Sequence, residues 1–425
     1  MKNEIEKYFD LLWPITRSLT GNGNRKTLKI LSEIVDMEIH EVPSGTACLD
    51  WTVPPEWNIN EAWIKDENGI KIVDFAINNL HILGYSIPIH TTLSLNDLKE
   101  HLYTLTDYPD VIPYLTSYYK ERWGFCISHN QLLNLKEGNY EVNINSVLDY
   151  NGSLTYGEAV LQGELDKEIL ISTYICHPSL ANNELSGPLV SAFIYRELEK
   201  IKDRKFTYRF LFLPETIGAI VYLSKFGQRL KEKLVAGYVI TCVGDRGDFT
   251  YKRSRTGNSI SDRAAELILK QTEITYLIKD FFPGGSDERQ YCSPGFNLPV
   301  GSLMRTMYGF YKEYHTSADN KDFISFEALQ NSVFKYLEIF KLIELNGHYL
   351  NKFPYGEPQL GKRGLYPSLG SQKKKELFID ALMWFLNYSD GKHDLIEIID
   401  KSGIDYHEFY SVISRCVESG LIDKI

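Results

Sequence analysis

No apolar run in this 425-residue chain approaches the roughly 20 residues needed to cross a bilayer, so no membrane-spanning helix is expected. The opening stretch, "MKNEIEKYFDLLWPITRSLTG", has no long apolar segment and no small-residue cleavage site, so no signal peptide is expected either. The six cysteines are scattered without one Cys-x-x-Cys pair. That argues against a zinc knuckle or a disulfide framework and suits a reducing cytoplasm. Positive charge is also in deficit: 46 Lys and Arg against 56 Asp and Glu give a net charge of -10. Nucleic acid and anionic membrane are therefore poor candidates for the main partner. Tandem repeats and low-complexity tracts are missing too.

What is present is enough apolar material for a large core. With 43% hydrophobic and 13% aromatic residues, the chain reads as two or three folded domains. Residues 1–45 read as N-terminal helices, with Leu28, Ile30, Leu31 and Ile34 near one helical face. Residues 46–145 change texture to short Ile/Val/Tyr segments broken by Pro-rich and Asp/Gly turns, which predicts an inserted, mostly β module. From 146 to 350, apolar strands such as "EILISTYI" and "YRFLFLP" alternate with amphipathic helices. This predicts an α/β fold with a mixed, mostly parallel sheet sandwiched by helices. A Pro/Gly-rich linker at 351–370 leads to short helices over 371–425, in the order of a winged-helix module.

In such a sheet, ligands sit at the C-terminal ends of the strands. Two of the ten histidines fall in loops after strands, His177 in "CHPSLANNELSG" and His315 in "EYHTSAD". "PETIG" places Glu215 at the end of another apolar strand, where burial raises a carboxyl pKa and suits it to general-base work. Two histidines with nearby carboxylates are the ingredients of a catalytic zinc site.

Through these motifs, residues 156–345 resemble the zinc aminopeptidases of the leucyl aminopeptidase and glutaminyl cyclase type. That family's landmarks run in the same order here: His177, "NNELSG", "PETIG", "ITCVGD" and "HTSAD". The combination with "GGSDERQYCSPG" is similar to a bacterial group of zinc aminopeptidase-like proteins carrying an inserted domain of unknown function and a C-terminal winged helix. The resemblance implies a zinc exopeptidase-like fold and a metal-activated water attacking an amide.

The chain departs from the family at several acidic positions. The bridging Asp falls on Asn183, the carboxylate after the base on Thr216, and the Asp after the next strand on Thr241 or, displaced, on Asp245. The Asp that orients the first histidine falls on Ser179. An amide bridges two cations poorly, so one zinc ion is expected, with a second left open. His177, Glu184 and His315 are the expected ligands and Glu215 the expected base. Asn183, Asp245 and Asp319 are further candidates for the metal or its surroundings, with Asp319 placed to accept a hydrogen bond from His315. Asp287, Arg305 and Tyr314 are expected to read the substrate. Cys176 and Cys292 flank the site and read as small buried residues. The aromatic cluster at 114–126 reads as core of the inserted module, placed so that it can overhang the cleft.

Residues 371–425 hold seven Lys/Arg and ten Asp/Glu, a net of -3, and Lys373–Lys375 read as a solvated helix start. A DNA reader needs cations for the phosphates, so this module is expected to contact protein, a homo-oligomer included. The expectation for the whole is a cytoplasmic, zinc-dependent aminopeptidase acting on a small peptide or amide conjugate. The alternatives are a binding protein that has lost its metal, and a deacylase or cyclase on the same scaffold.

Overall fold

The computed structural model describes residues 1–365 and 372–425, with the backbone alone at 372–375. The Lys373–Lys375 side chains and the end of the 351–370 linker lie outside the described residues. Two compact units are present, Met1–Ser261 with Thr275–Phe334, and Asp262–Ile274 with Lys335–Ile425.

The first unit is built on an eight-stranded mixed sheet. Its parallel centre comprises Thr207–Leu213, Glu168–Tyr174, Leu234–Val239 and Val300–Met304, in that spatial order. The strands "EILISTY" and "TYRFLFL" are buried at every residue, as expected of parallel strands covered on both faces. Helix Ser186–Glu199 packs on the first two of these strands and helix Ile217–Lys233 on Leu234–Val239. The antiparallel pair Glu38–Pro43 and Ser153–Leu161 extends one edge. The N-terminal region thus supplies an edge strand as well as its two helices, Lys2–Leu12 and Asn22–Leu31.

Between those edge strands the chain makes a four-stranded antiparallel sheet in the order Lys71–Asp74, Glu56–Lys65, Asn139–Asp149, Ile89–Ser94. Its inward residues Trp57, Ala62, Ile64, Val142 and Ile144 join one continuous core with Tyr174, Leu211 and Ile217 of the main sheet region. The β module is therefore fused to the α/β body through apolar packing. Arg25 reinforces the join with a bidentate pair of 2.7 Å bonds to Glu56, and a 2.9 Å bond to Glu41.

The second unit contains helices Gln372–Tyr388, Leu395–Ser402 and Tyr406–Glu418 and a three-stranded antiparallel sheet. That sheet takes its central strand from His348–Asn351, ahead of the linker, flanked by Asp390–Asp394 and Ile422–Lys424. Asp394 caps its helix by accepting from Glu397 N–H and pairs with Arg263 at 2.6 and 3.0 Å. All six cysteines are free and buried. Among the described residues no helix is long and apolar enough to cross a membrane.

Candidate active site

The C-terminal ends of the four parallel strands converge on one buried region. Glu168–Tyr174 runs out to His177, Thr207–Leu213 to Glu215, Leu234–Val239 to Thr241, and Val300–Met304 to the loop bearing His315. Strained backbone accompanies three of these ends. Thr216 (φ 63°), Cys242 (φ 50°) and His315 (φ 55°) occupy the positive-φ region, a conformation that costs non-glycine residues free energy and clusters where function requires it.

The loop after His177 closes with a π turn at Ala181–Leu185, in which Leu185 N–H donates to the carbonyl of Leu180 at 3.2 Å. A π turn holds one residue more than an α turn, which accommodates the one-place offset of Asn183-Glu184. Glu184, fully buried, faces His177: its Oε2 lies 2.7 Å from Nδ1 of the imidazole. Cys176, His177 and Glu184 are the compact metal-capable donor group among the described residues, with ligand atoms within 4.8 Å of one another. Yet this side of His177 already holds a cation. Arg17, also buried, lies 3.6 Å from Oε1 of Glu184. Glu184 is thus engaged by His177 and Arg17. It fills the orienting place that Ser179 leaves open, since the Ser179 hydroxyl donates to the carbonyl of Trp13 at 2.6 Å.

On its other side, Nε2 of His177 lies 3.7 Å from Oε2 of Glu215, and the His315 ring centroid is 5.3 Å from that of His177. Nε2 of His315 is buried without a hydrogen-bond partner, as are Nδ2 of Asn183 and Oδ2 of Asp287. Burial holds His177 neutral, with a pKa lowered to about 3, and the charge of Arg17 adds to this. Burial lowers His315 well below the usual histidine range as well. It raises the carboxyls of Glu184 and Glu215 well above the usual range, opposed at Glu184 by Arg17 and reinforced at Glu215 by Asp287. Two neutral imidazoles with a carboxylate beside one of them are donor types that a divalent cation takes. Asn183, Thr216 and Thr241 supply no carboxylate for a second.

The remaining expected residues divide between site wall and scaffold. Asn183 lines the site, its Oδ1 accepting from the Tyr174 hydroxyl at 3.4 Å. Tyr314 stacks on His315 with ring centroids 3.9 Å apart. Asp287 accepts from the Thr216 N–H at 2.7 Å, so it braces the turn after Glu215, and burial raises its carboxyl to about 7. Asp319 does not hydrogen-bond to His315. Its carboxylate accepts from Asn182 N–H at 2.6 Å and Asn183 N–H at 2.9 Å, because the π turn presents those amides to it. Asp245 is likewise spent on its loop, accepting from Asn182, Gly247 and both the amide and hydroxyl of Thr306. Arg305 donates to the Gly247 carbonyl and Asn331 and lies over Phe249, which leaves it bracing that loop rather than reading a substrate.

Three contributors were not among the expected site residues. Arg17 lies in the loop between the first two helices. Tyr114, from the inserted module, puts its ring 5.0 Å from that of His177 and 5.2 Å from that of His315. Tyr174 ends a core strand, and its hydroxyl bonds Thr241 at 2.5 Å. Only the aromatic density at 114–126 gave a hint.

A domain family of unknown function, DUF4910, matches residues 7–346, and a winged helix-turn-helix family matches residues 347–424. A Clostridium acetobutylicum protein, named as a candidate polysaccharide biosynthesis protein with an aminopeptidase-like domain, is 50% identical over 95% of this chain and 92% of its own. The crystal structure of a candidate peptidase from the same species superposes with a TM-score of 0.93 at 46% identity, covering 100% of this chain and 96% of that one. A zinc aminopeptidase from Bacillus subtilis aligns with TM-score 0.59 at 11% identity, over 80% of this chain and 94% of its own. An M28 peptidase precursor from Shewanella amazonensis gives 0.56 at 13%, over 81% and 92%. The last two establish the aminopeptidase-like fold.

Proposed function

The chain belongs to the DUF4910 family, and from its site we propose that it is a metal-dependent amide hydrolase, an aminopeptidase removing the N-terminal residue of a small peptide or conjugate. The observation that carries this reading is the juxtaposition of His177 and His315 with Glu215 at the ends of the parallel strands. His177 and His315 would hold one zinc ion through Nε2. Such an ion supplies a Lewis acid and a water of lowered pKa. Glu215 is the proton carrier: of the site's carboxylates it keeps solvent access, at 24% side-chain exposure against 0% for Glu184. Its raised pKa suits it to take a proton and return it to a leaving amine. Tyr114 covers both imidazoles, which favours small substrates, and the free cysteines favour a cytoplasmic setting.

A second reading is deacylation of an amide-bearing sugar conjugate. The name of the 50% identical relative, which couples polysaccharide biosynthesis with an aminopeptidase-like domain, favours it.

The test is metal analysis of protein purified without chelator, together with turnover of aminoacyl anilides and N-acyl amino sugars. The expected result is about one metal per chain, and a Glu215→Gln variant that keeps the metal but loses roughly 100-fold or more in rate. A chain without stoichiometric metal, or an active Glu215→Gln variant, overturns the proposal. Loss of the metal in that variant would make Glu215 a ligand instead of the base.

A further inference from the structure

We infer that Arg289 reads an oxyanion on the substrate, which makes the preferred substrate an amide that carries a carboxylate or a phosphate close to the scissile bond. The inference deepens the hydrolase reading above and rests on it, while its first readout is equilibrium binding and needs no turnover.

Arg289 stands half-buried in "GGSDERQ", on the short helix Glu288–Tyr291. Its neighbours anchor that segment. Glu288 pairs with Lys252 at 2.6 Å, both side chains fully buried, and Lys252 also donates to the Gly284 carbonyl at 2.7 Å and the Tyr308 hydroxyl at 2.9 Å. Asp287 accepts from the Thr216 N–H at 2.7 Å. The guanidinium itself is hardly engaged. Nη2 donates to the Thr216 hydroxyl at 2.8 Å, while Nε is buried without a partner. Among the described residues Arg289 makes no ion pair. It nevertheless acts on the site: its charge opposes the upward shift that burial gives Glu215, Asp287 and the Tyr314 phenol.

A buried donor without an acceptor is costly, and native structures rarely keep one without a reason. Elsewhere in this chain arginines are held by carboxylates: Arg25 by Glu41 and Glu56, and Arg209 by Glu158 and Glu168. At position 289 the adjacent acids are committed elsewhere, Asp287 to the Thr216 amide and Glu288 to Lys252. The fork is therefore left for an acceptor that arrives with the ligand. A guanidinium offers parallel N–H groups that match a carboxylate or a phosphate better than a neutral carbonyl. Arg305 does not compete for this role, being spent on the Gly247 carbonyl and Asn331. Thr216 sets the placement. Its amide donates to Asp287 and its hydroxyl accepts from Arg289, so the turn that carries Glu215 also fixes where the anion sits relative to the base.

The experiment is calorimetric titration of the full chain, as purified, with matched ligands. The pairs are N-acetylalanine against N-acetylalaninamide, and an N-acetyl amino sugar 1-phosphate against the free N-acetyl amino sugar. The acidic member of at least one pair should bind wild type about 10- to 100-fold more tightly than its neutral partner, and the pair that shows the preference identifies the oxyanion. Arg289→Met should erase the preference and leave the neutral member's affinity unchanged, and Arg289→Lys should keep part of it. Equal affinity within each pair, no binding of either acidic member, or a preference that survives Arg289→Met overturns the inference. Should Arg289→Met fail to fold, Arg289→Gln keeps a donor for Thr216 and should lose the preference in the same way; survival there also overturns it. In turnover assays Arg289→Met should raise KM for the acidic amide alone. An equal loss for acidic and neutral amides would make Arg289 a brace of the Thr216 turn and overturn the inference too. An acidic preference that depends on Arg289 in a chain that turns nothing over would keep the anion site and remove the hydrolase reading alone.

Discussion

The backbone N–H of Tyr114 donates to the carbonyl of His315 at 2.7 Å. One residue back, Pro113 forms an antiparallel bridge with Thr316; Ser317 N–H donates to the Ile112 carbonyl, and Ile112 N–H donates to the Ser317 hydroxyl. A segment of the inserted module is thus paired, strand-like, to the loop of a candidate metal ligand whose own backbone sits at φ 55°. The pairing holds that strained conformation, and the Tyr114 ring closes over both imidazoles. Tyr114→Ala should destabilise the protein by about 3–5 kcal/mol in denaturant titrations and weaken zinc retention. Tyr114→Phe, which keeps the ring and the backbone pairing, should stay within roughly 1 kcal/mol of wild type.

Thr216 forms a tight turn (φ 63°, ψ −74°), with Ile217 N–H donating to the Glu215 carbonyl at 2.8 Å. This is the rarer, strained form of the γ-turn, and Asp287 holds it through the Thr216 amide. Thr216→Gly should relieve strain and leave stability unchanged or raised by up to about 1 kcal/mol. Turnover should fall, because the turn aims Glu215. Parallel melts and rate measurements check both; a rate equal to wild type would remove the turn from the site's function.

Gly187 is the second residue of the helix that follows the π turn. A Cβ there would lie 2.3 Å from the Ile240 carbonyl oxygen and 2.5 Å from Oγ1 of Thr173. Gly187→Ala should therefore cost about 1–3 kcal/mol or more by denaturation, despite the better helix propensity of alanine.

Arg25 holds the Glu56 carboxyl down at a pKa of about 2, against an ordinary value of 4.5. A depressed carboxyl contributes stability that is complete above its unfolded pKa and is lost as pH falls through the folded one. The stability gap between wild type and Glu56→Gln should thus be full above about pH 5, roughly 1–3 kcal/mol, and close toward pH 2. Denaturant midpoints measured across that range read it directly. A gap independent of pH would place the effect in packing.

For the C-terminal module we expect protein contact rather than DNA binding. Its helix Tyr406–Glu418 carries one Arg against two Glu. Random-sequence duplex should give no gel shift at low salt, and a salt-sensitive shift would reverse that assignment.

The sequence by itself determined the layers and the address of the site. Continuous apolar strands such as Glu168–Tyr174 can be satisfied only by cover on both faces, and that same pattern places His177, Glu215 and His315 at strand ends. Local periodicity and composition carry that much because they reflect burial, which each segment states for itself. The tertiary structure alone decided which polar groups meet. Asp319 and Asp245 looked available for the metal, yet backbone amides presented by the π turn and the 245–247 loop take up their oxygens. Glu184 turned out to face Arg17, 167 positions away in the chain, and Tyr114 to close a centre built by other segments. Hydrogen-bond partners depend on direction and distance in three dimensions, and a loop's sequence fixes neither until the body beneath it has folded.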